Sequence, residues 1–227
     1  MTIAGIDDSG RGPVIGPLVI AGVLADHDAL SKLEMLRGKD SKCFSPKRRM
    51  ELSRLIKDIA LSYVSVEVPP AQIDKAVWSS RRLFKLNRLE AKAMAKAIMR
   101  LKPAVAYVDT ADVNAERYGE WIREYLTLPV VVVSRKKADL RYPIVGAASI
   151  IAKVRRDQIV KRLHEKYGFF GSGYSSDPRT RSFLLNWFNK HGSFPPIARR
   201  SWKTLERIET MARISRTSLD LSVKERR

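Results

Sequence analysis

The sequence predicts a mixed α/β fold, a sheet with helices packed around it followed by a helical C-terminal portion. Three observations carry that prediction. Two short continuous apolar runs, AVAYVD (104–109) and PVVVVS (129–134), flank a helical stretch near 114–125, the β-α-β signal of strands buried on both faces. TIAGI (2–6) and VIGPLVIAGVL (14–24) are apolar and separated by a glycine-rich turn, as adjacent strands at the start of a sheet are. Beyond residue 170 the chain becomes aromatic, basic and helical in pattern, which divides it into 1–170 and 171–227.

The remaining elements follow in order. Pro17 marks an edge or a bend, because it cannot donate to a ladder. Ser45-Pro46 supplies an N-cap and an N1 proline to a helix with Met50, Leu52, Leu55, Ile56 and Ile59 on one stripe. LSYVSVEV (61–68) alternates and stops at Pro69-Pro70, a third strand. Ser80 to Leu101 is a long helix whose apolar positions, Leu83, Leu86, Met94, Ile98 and Leu101, are surrounded by basic residues. Residues 146–168 form a helix of small residues, then basic ones, closed by Gly168. The loop GFFGSGYSSDPRTR (168–181) leads into the aromatic helix SFLLNWFNKHG (182–192) and a basic tail whose last ten residues are expected to fray.

Composition narrows the function. With 44% hydrophobic residues among 227, the chain can bury a sizeable core, which excludes disorder over its whole length. Lys and Arg number 43 against 24 acids, a net charge of +19, so nucleic acid is the first partner class. A basic structural protein shares that imbalance, whereas a thermophile's ion-pair surface explains charge content alone. Cys43 is the single cysteine, so neither an internal disulfide nor a thiolate metal cluster can form. No basic segment precedes an apolar run at the N-terminus, and no apolar run approaches the ~18 residues of a membrane span. A soluble, cytoplasmic monomer is expected.

Gly10, Gly12 and Gly16 miss the dinucleotide-binding spacing by one residue, and Pro13 and a strand follow where a helix should. No P-loop or H-E-x-x-H is present, and His27, His164 and His191 lack ligand spacing. Carboxylates at the ends of apolar strands are more telling. Asp7 follows TIAGI and Asp109 follows AVAYV, with Asp8 adjacent and Asp139 in RKKADLRY. Each alone reads equally as a cap or an ion-pair partner; jointly they suit Mg²⁺ or Mn²⁺, which take hard oxygen ligands. Neighbours in a regular strand face opposite ways, so Asp7 and Asp8 share an ion only if the backbone bends. Arg11, between two glycines, is either a phosphate donor or an exposed residue of a plain turn.

GIDDSGRGPVIGPLVIAGV (5–23) resembles the opening of type 2 ribonucleases H, the ribonuclease HII family, whose usual text is G-x-D-E-x-G-R-G-P. GKDSKCFSPKRR (38–49), AYVDT (106–110), KADLRYPIVGAASIIAKVRRD (137–157), GSGYSSDPRTR (171–181) and RRSWKT (199–204) resemble later blocks of the family in the right order, with an archaeal character. The resemblance spans roughly residues 3 to 205. It implies a ribonuclease H-like mixed sheet flanked by helices and a catalytic carboxylate set of Asp7, Asp8, Asp109 and, less centrally, Asp139. The family normally has glutamate at position 8. Asp8 withdraws that carboxylate by one C–C bond, ~1.5 Å, and a misplacement of ~1 Å in an active site can cost about 10²-fold in rate.

The activity so implied is hydrolysis of the RNA strand of RNA–DNA hybrids and cleavage 5′ of single ribonucleotides in duplex DNA, as in ribonucleotide excision repair. It uses a two-metal Mg²⁺ or Mn²⁺ site and leaves 3′-hydroxyl and 5′-phosphate ends. The resemblance assigns the backbone of Gly10, Arg11 and Gly12 to the ribose 2′-hydroxyl and Tyr174 to the following deoxyribose, although Ser175 replaces the usual proline after it. Ser41, Lys42, Lys153 and Arg156 match positions along the duplex, and the basic residues within 81–102 and 199–203 are expected on phosphates. A catalytically impaired relative that binds hybrid is the alternative. A sliding-clamp partner gains no support from the tail ISRTSLDLSVKERR, which offers no phenylalanine or tyrosine anchor.

Overall fold

The computed structural model describes residues 1–36, 44–79 and 85–224, the last ten of these as helical backbone only. Five strands, β1 (Ile3–Ser9), β2 (Leu18–Ala25), β3 (Ser62–Val68), β4 (Val105–Asp109) and β5 (Val131–Arg135), form one sheet in the order β3-β2-β1-β4-β5. β1 is antiparallel to β2, and β2 to β3, while β4 runs parallel to both β1 and β5, so the sheet is mixed as expected.

Two strand boundaries differ from the sequence reading. β1 continues through both aspartates, since Asp7, Asp8 and Ser9 pair with Ala21, Ile20 and Val19 across the antiparallel ladder; this pairing outweighs the low strand propensity of aspartate. The chain leaves the strand at Gly10, whose φ of 88° is in the left-handed region. β2 starts only after Pro17, so residues 14–16 are not strand, although Ile15 bridges to Ala198.

The helices are α1 (His27–Met35), α2 (Pro46–Ile59), α3 (Pro70–Trp78), α4 (Lys85–Leu101), α5 (Ala115–Arg123), α6 (Ala138–Arg141), α7 (Pro143–Tyr167), α8 (Pro178–His191) and α9 (Lys203–Lys224). Ser45 caps α2 by accepting from the Arg48 N–H, and Gly168 ends α7 at φ 83°, as their residue types predict. α8 begins four residues earlier than its aromatic pattern suggested, because Asp177 caps it and Pro178 occupies N1. α1, α3 and α6 were not anticipated; they are short. α9 extends through most of the tail expected to fray.

The chain forms two compact units: 1–11, 18–68 and 79–158 in the first; 12–17, 69–78 and 159–227 in the second. The expected division at 170 follows the chain, whereas the second unit also gathers 12–17 and 69–78. In the first, α7 packs on the sheet face that carries Ala21, Val23, Ala25 and Tyr107, through Ile144, Val145, Ala148 and Ile151. α4 and α5 cover the other face. The core of the second unit is Val14, Ile15, Phe170, Leu184, Phe188, Ile197 and Leu205. Among the described residues no helix is long and apolar enough to cross a membrane.

Candidate active site

Strand parity sets out the carboxylates. Ile3, Gly5 and Asp7 share one face of β1, the one covered by α7, and Ala4, Ile6 and Asp8 share the other. β1 and β4 are aligned with Gly5 opposite Tyr107 and Ile6 opposite Val108, so one further step brings Asp7 abreast of Asp109 at the ends of two parallel strands. Such neighbours are about 4.8 Å apart in the hydrogen-bonding direction. The strand stays regular through Asp8, so the bend comes after the two aspartates rather than between them.

Asp7 is 5% exposed. Burial pushes its carboxyl well above the ordinary range, and the negative charges of Asp8 and Asp109 push it further. Hydrogen bonds from Ser149 on α7 and from the Asp8 N–H, at 2.7 Å, oppose the shift without cancelling it. On the other face the buried Tyr118 hydroxyl is raised by its own burial first and then by Asp8, which places Asp8 within the field of α5. The site is an acidic cluster in a protein of charge +19.

These oxygens are the hard donors that Mg²⁺ and Mn²⁺ take, and a divalent cation is what relieves repulsion among clustered carboxylates. In the described conformation several of them are engaged by backbone. Asp109 Oδ1 accepts from the Ala138 N–H at 2.7 Å, and Asp139 Oδ1 from the Leu140 N–H at 3.0 Å. With those oxygens turned to α6, no three ligand-type side chains among the described residues converge tightly enough to hold an ion. The donor chemistry fits a divalent metal.

The glycine turn is anchored at both of its described ends. Within the first unit, the Arg11 guanidinium forms an ion pair with Glu90 and donates to Asn87 Oδ1 at 2.6 Å. Within the second, the Gly12 carbonyl accepts from Trp202 Nε1 at 3.2 Å, and a β-carbon at Gly12 would lie 3.7 Å from the Tyr174 ring. Tyr174 itself is 39% exposed, on a loop whose Gly173 carbonyl accepts from the Val14 and Ile15 N–H groups. Arg199 is wholly buried and donates from Nε to the Gly16 carbonyl, so it does not reach phosphate as expected of it but packs the turn. Asp74 holds the same block by accepting from the Arg200 and Ser201 N–H groups.

Of the other expected duplex contacts, Lys153 is partly exposed and pairs with Asp157, while Arg156 is 3% exposed. Ser41, Lys42, Arg81 and Arg82 lie outside the described residues. Sequence reading missed Ser149, Glu90, Asn87, Asp74 and Trp202. Glu90 alone carried a signal, as the single acid in an otherwise basic helix.

Comparison with known proteins gives the family and the fold. The family model for ribonuclease HII matches residues 4–205. Ribonuclease HII of Thermococcus kodakarensis is 50% identical over 210 residues, 92% of this chain and 90% of that one. The crystal structure of ribonuclease H2 from Pyrococcus horikoshii OT3 matches with a TM-score of 0.85 at 43% identity, covering 94% of this chain and 99% of that one, and it bears out the expected ribonuclease H-like fold. A structure of the PCNA:RNase HII complex from Archaeoglobus fulgidus matches with a TM-score of 0.76 at 45% identity, covering 91% and 96%. The chain therefore belongs to the ribonuclease HII family and is a ribonuclease H enzyme, acting on RNA–DNA hybrids.

Proposed function

We propose that this enzyme is a divalent-metal-dependent endonuclease that cuts on the 5′ side of ribonucleotides, in hybrids and singly embedded in duplex DNA. The observation that carries this reading is Asp7, buried at a strand end between two further carboxylates whose charges disfavour its ionisation. Asp7, Asp8 and Asp109, with Asp139 as a fourth, would hold Mg²⁺ or Mn²⁺. The metal supplies activation of water and stabilisation of the leaving 3′-oxygen. Water adds across the P–O3′ bond, which leaves a 3′-hydroxyl and a 5′-phosphate, and no side chain is needed as nucleophile. Ser149 and the Asp8 N–H hold Asp7 in orientation throughout.

Selection of RNA requires contact with the 2′-hydroxyl, the group that marks a ribose in a duplex. The backbone of Gly10, Arg11 and Gly12 is suited to it: two of the three residues lack side chains, and the Gly12 carbonyl is oriented by Trp202. Tyr174, beside Gly12, offers an exposed ring to the next sugar. The PCNA partner belongs to the Archaeoglobus fulgidus relative; the tail of this chain from Ile214 has no phenylalanine or tyrosine, and no clamp contact is assigned to it.

The test is a nicking assay on duplex DNA with one embedded ribonucleotide, in Mg²⁺, in Mn²⁺ and in EDTA. A nick 5′ to the ribonucleotide that disappears in EDTA supports the reading; cutting in EDTA, or no cutting with either ion, overturns it. In the same assay Asp8→Glu is expected to raise the rate on the order of 10-fold, because the longer side chain restores roughly 1.5 Å of reach. Binding should also be salt-dependent. If about six phosphates are neutralised, affinity falls roughly 10³-fold between ~50 and ~200 mM salt, which a filter-binding titration measures.

A further inference from the structure

Arg11 occupies an unexpected position for a cation in a nuclease. Its side chain is 29% exposed, yet it is paired with a fully buried acid, Glu90 on α4. Asn87, one helical turn before Glu90, accepts from the same guanidinium and passes the contact on, its Nδ2 donating to Asp112 Oδ2 at 2.6 Å. Asp112 is held in turn by the Asn114 N–H at 2.8 Å and by Arg117. Burial raises its carboxyl, but the Asn114 N–H, Asn87 and Arg117 outweigh burial and keep it below the ordinary range. The chain of contacts thus ends in charged, ionised groups rather than in solvent.

A turn of the form Gly-Arg-Gly has wide backbone freedom, and the arginine provides its only side chain. Trp202 holds the Gly12 carbonyl, and the one side chain of the turn itself that can be gripped is that of Arg11. Glu90 is an expensive anchor, since its Oε1 is buried without a hydrogen-bond partner and the carboxylate depends on Arg11 for compensation. Exchange of Arg11 to a phosphate would strand that charge, so the guanidinium stays with the helix.

We propose that Glu90 and Asn87 are positioning residues for ribose recognition, gripping Arg11 so that the backbone of residues 10–12 is pre-set for the 2′-hydroxyl. This rests on the assignment of that turn to the sugar. Neither residue touches substrate, and Arg11 acts as a handle rather than as a phosphate ligand.

The experiment measures affinity in EDTA for a duplex with one embedded ribonucleotide and for the same duplex in all-DNA form, using the full chain. Variants are Glu90→Gln, Arg11→Met, the double variant, Asn87→Ser and Gly10→Ala. Glu90→Gln is expected to reduce the ratio of the two affinities about tenfold, a mid-range value for contacting residues, while all-DNA binding is unchanged. In the Arg11→Met background the same substitution should add less than about twofold, because coupled partners do not add. An unchanged ratio in Glu90→Gln, or full additivity with Arg11→Met, overturns the proposal. If Glu90→Gln fails to fold, Asn87→Ser at a partly exposed position bears the same expectation and the same refutation. Gly10→Ala separates the two layers: if it leaves the ratio intact, the turn does not read ribose and both readings fall. If it lowers the ratio while Glu90→Gln and Asn87→Ser do not, the turn reads ribose and only the positioning role is lost.

Discussion

Asp7→Asn is expected to abolish cleavage, by at least about 10²-fold, and at the same time to make the metal-free protein harder to unfold at neutral pH. The first effect follows from removing a carboxylate at the centre of the cluster. The second follows from the direction of the Asp7 shift, raised by burial first and then by Asp8 and Asp109. A carboxyl whose folded pKa lies above its unfolded value keeps its proton longer in the native state. Stability is then fully present below the unfolded value of about 3.9 and is lost as pH rises through the folded one. Asparagine has no proton to lose, so the variant should lack this decline. Thermal unfolding from pH 4 to 8 in EDTA checks the sign: the wild type should fall toward the alkaline end relative to the variant. Added Mg²⁺ should restore wild-type stability, by about 2.7 kcal/mol at a hundredfold excess over Kd, and leave Asp7→Asn unmoved. A variant less stable than wild type throughout would contradict the electrostatic account.

Gly5→Ala is expected to cost about 1–3 kcal/mol and to depress activity although residue 5 touches no substrate. A β-carbon there would sit 2.2 Å from the Ile144 carbonyl oxygen and 2.5 Å from the Val145 nitrogen. Both obstacles are backbone of the first turns of α7, so no rotamer change relieves them and the helix must move. Ser149 lies on that helix, and its hydroxyl bonds to Asp7. A shift at Ile144 is therefore transmitted to the carboxylate. Urea unfolding should show a lower midpoint with an unchanged slope, accompanied by reduced nicking. An unaltered midpoint would mean that α7 does not approach β1 as described.

The sheet was legible because its strands carry strong local signals. AVAYVD and PVVVVS are apolar throughout, as strands covered on both faces must be, and they became β4 and β5 with ends within two residues. Ser45-Pro46 announced α2 through capping chemistry alone. Less legible was the end of β1, where pairing with β2 carries two aspartates into a strand that composition would have stopped at Ile6. α1 and α3 were missed because nine residues give periodicity too few turns to mark them, whereas α5, of the same length, is framed by the two apolar strands on either side of it.

The acidic site was readable as strand-end carboxylates, but its supports were not. Ser149 is one small residue among several in GAASIIA, and nothing local distinguishes it from its neighbours. Asp74 and Trp202 act across long chain separations, and their effect on the glycine turn depends on tertiary packing. Arg199 shows the converse: as a basic residue in a basic protein it is expected on phosphate, yet it is wholly buried and donates to the Gly16 carbonyl.

The bonds that close the glycine turn also bear on how the enzyme comes into being. Trp202 Nε1 reaches the Gly12 carbonyl across 190 positions, and Arg199 Nε reaches that of Gly16 across 183. Translation delivers the N-terminus first and domains generally fold as they emerge, yet the polar groups of residues 12–16 wait for partners from Gly173 to Trp202, which are made after every strand of the sheet. Such distant pairings are slow to form because a long loop must be closed before they reward the chain. A polypeptide halted before Arg199 thus has all four aspartates and no finished turn. If the turn reads ribose as proposed, a nascent copy gains that selectivity only once synthesis has passed Trp202, after every strand of the sheet has been made.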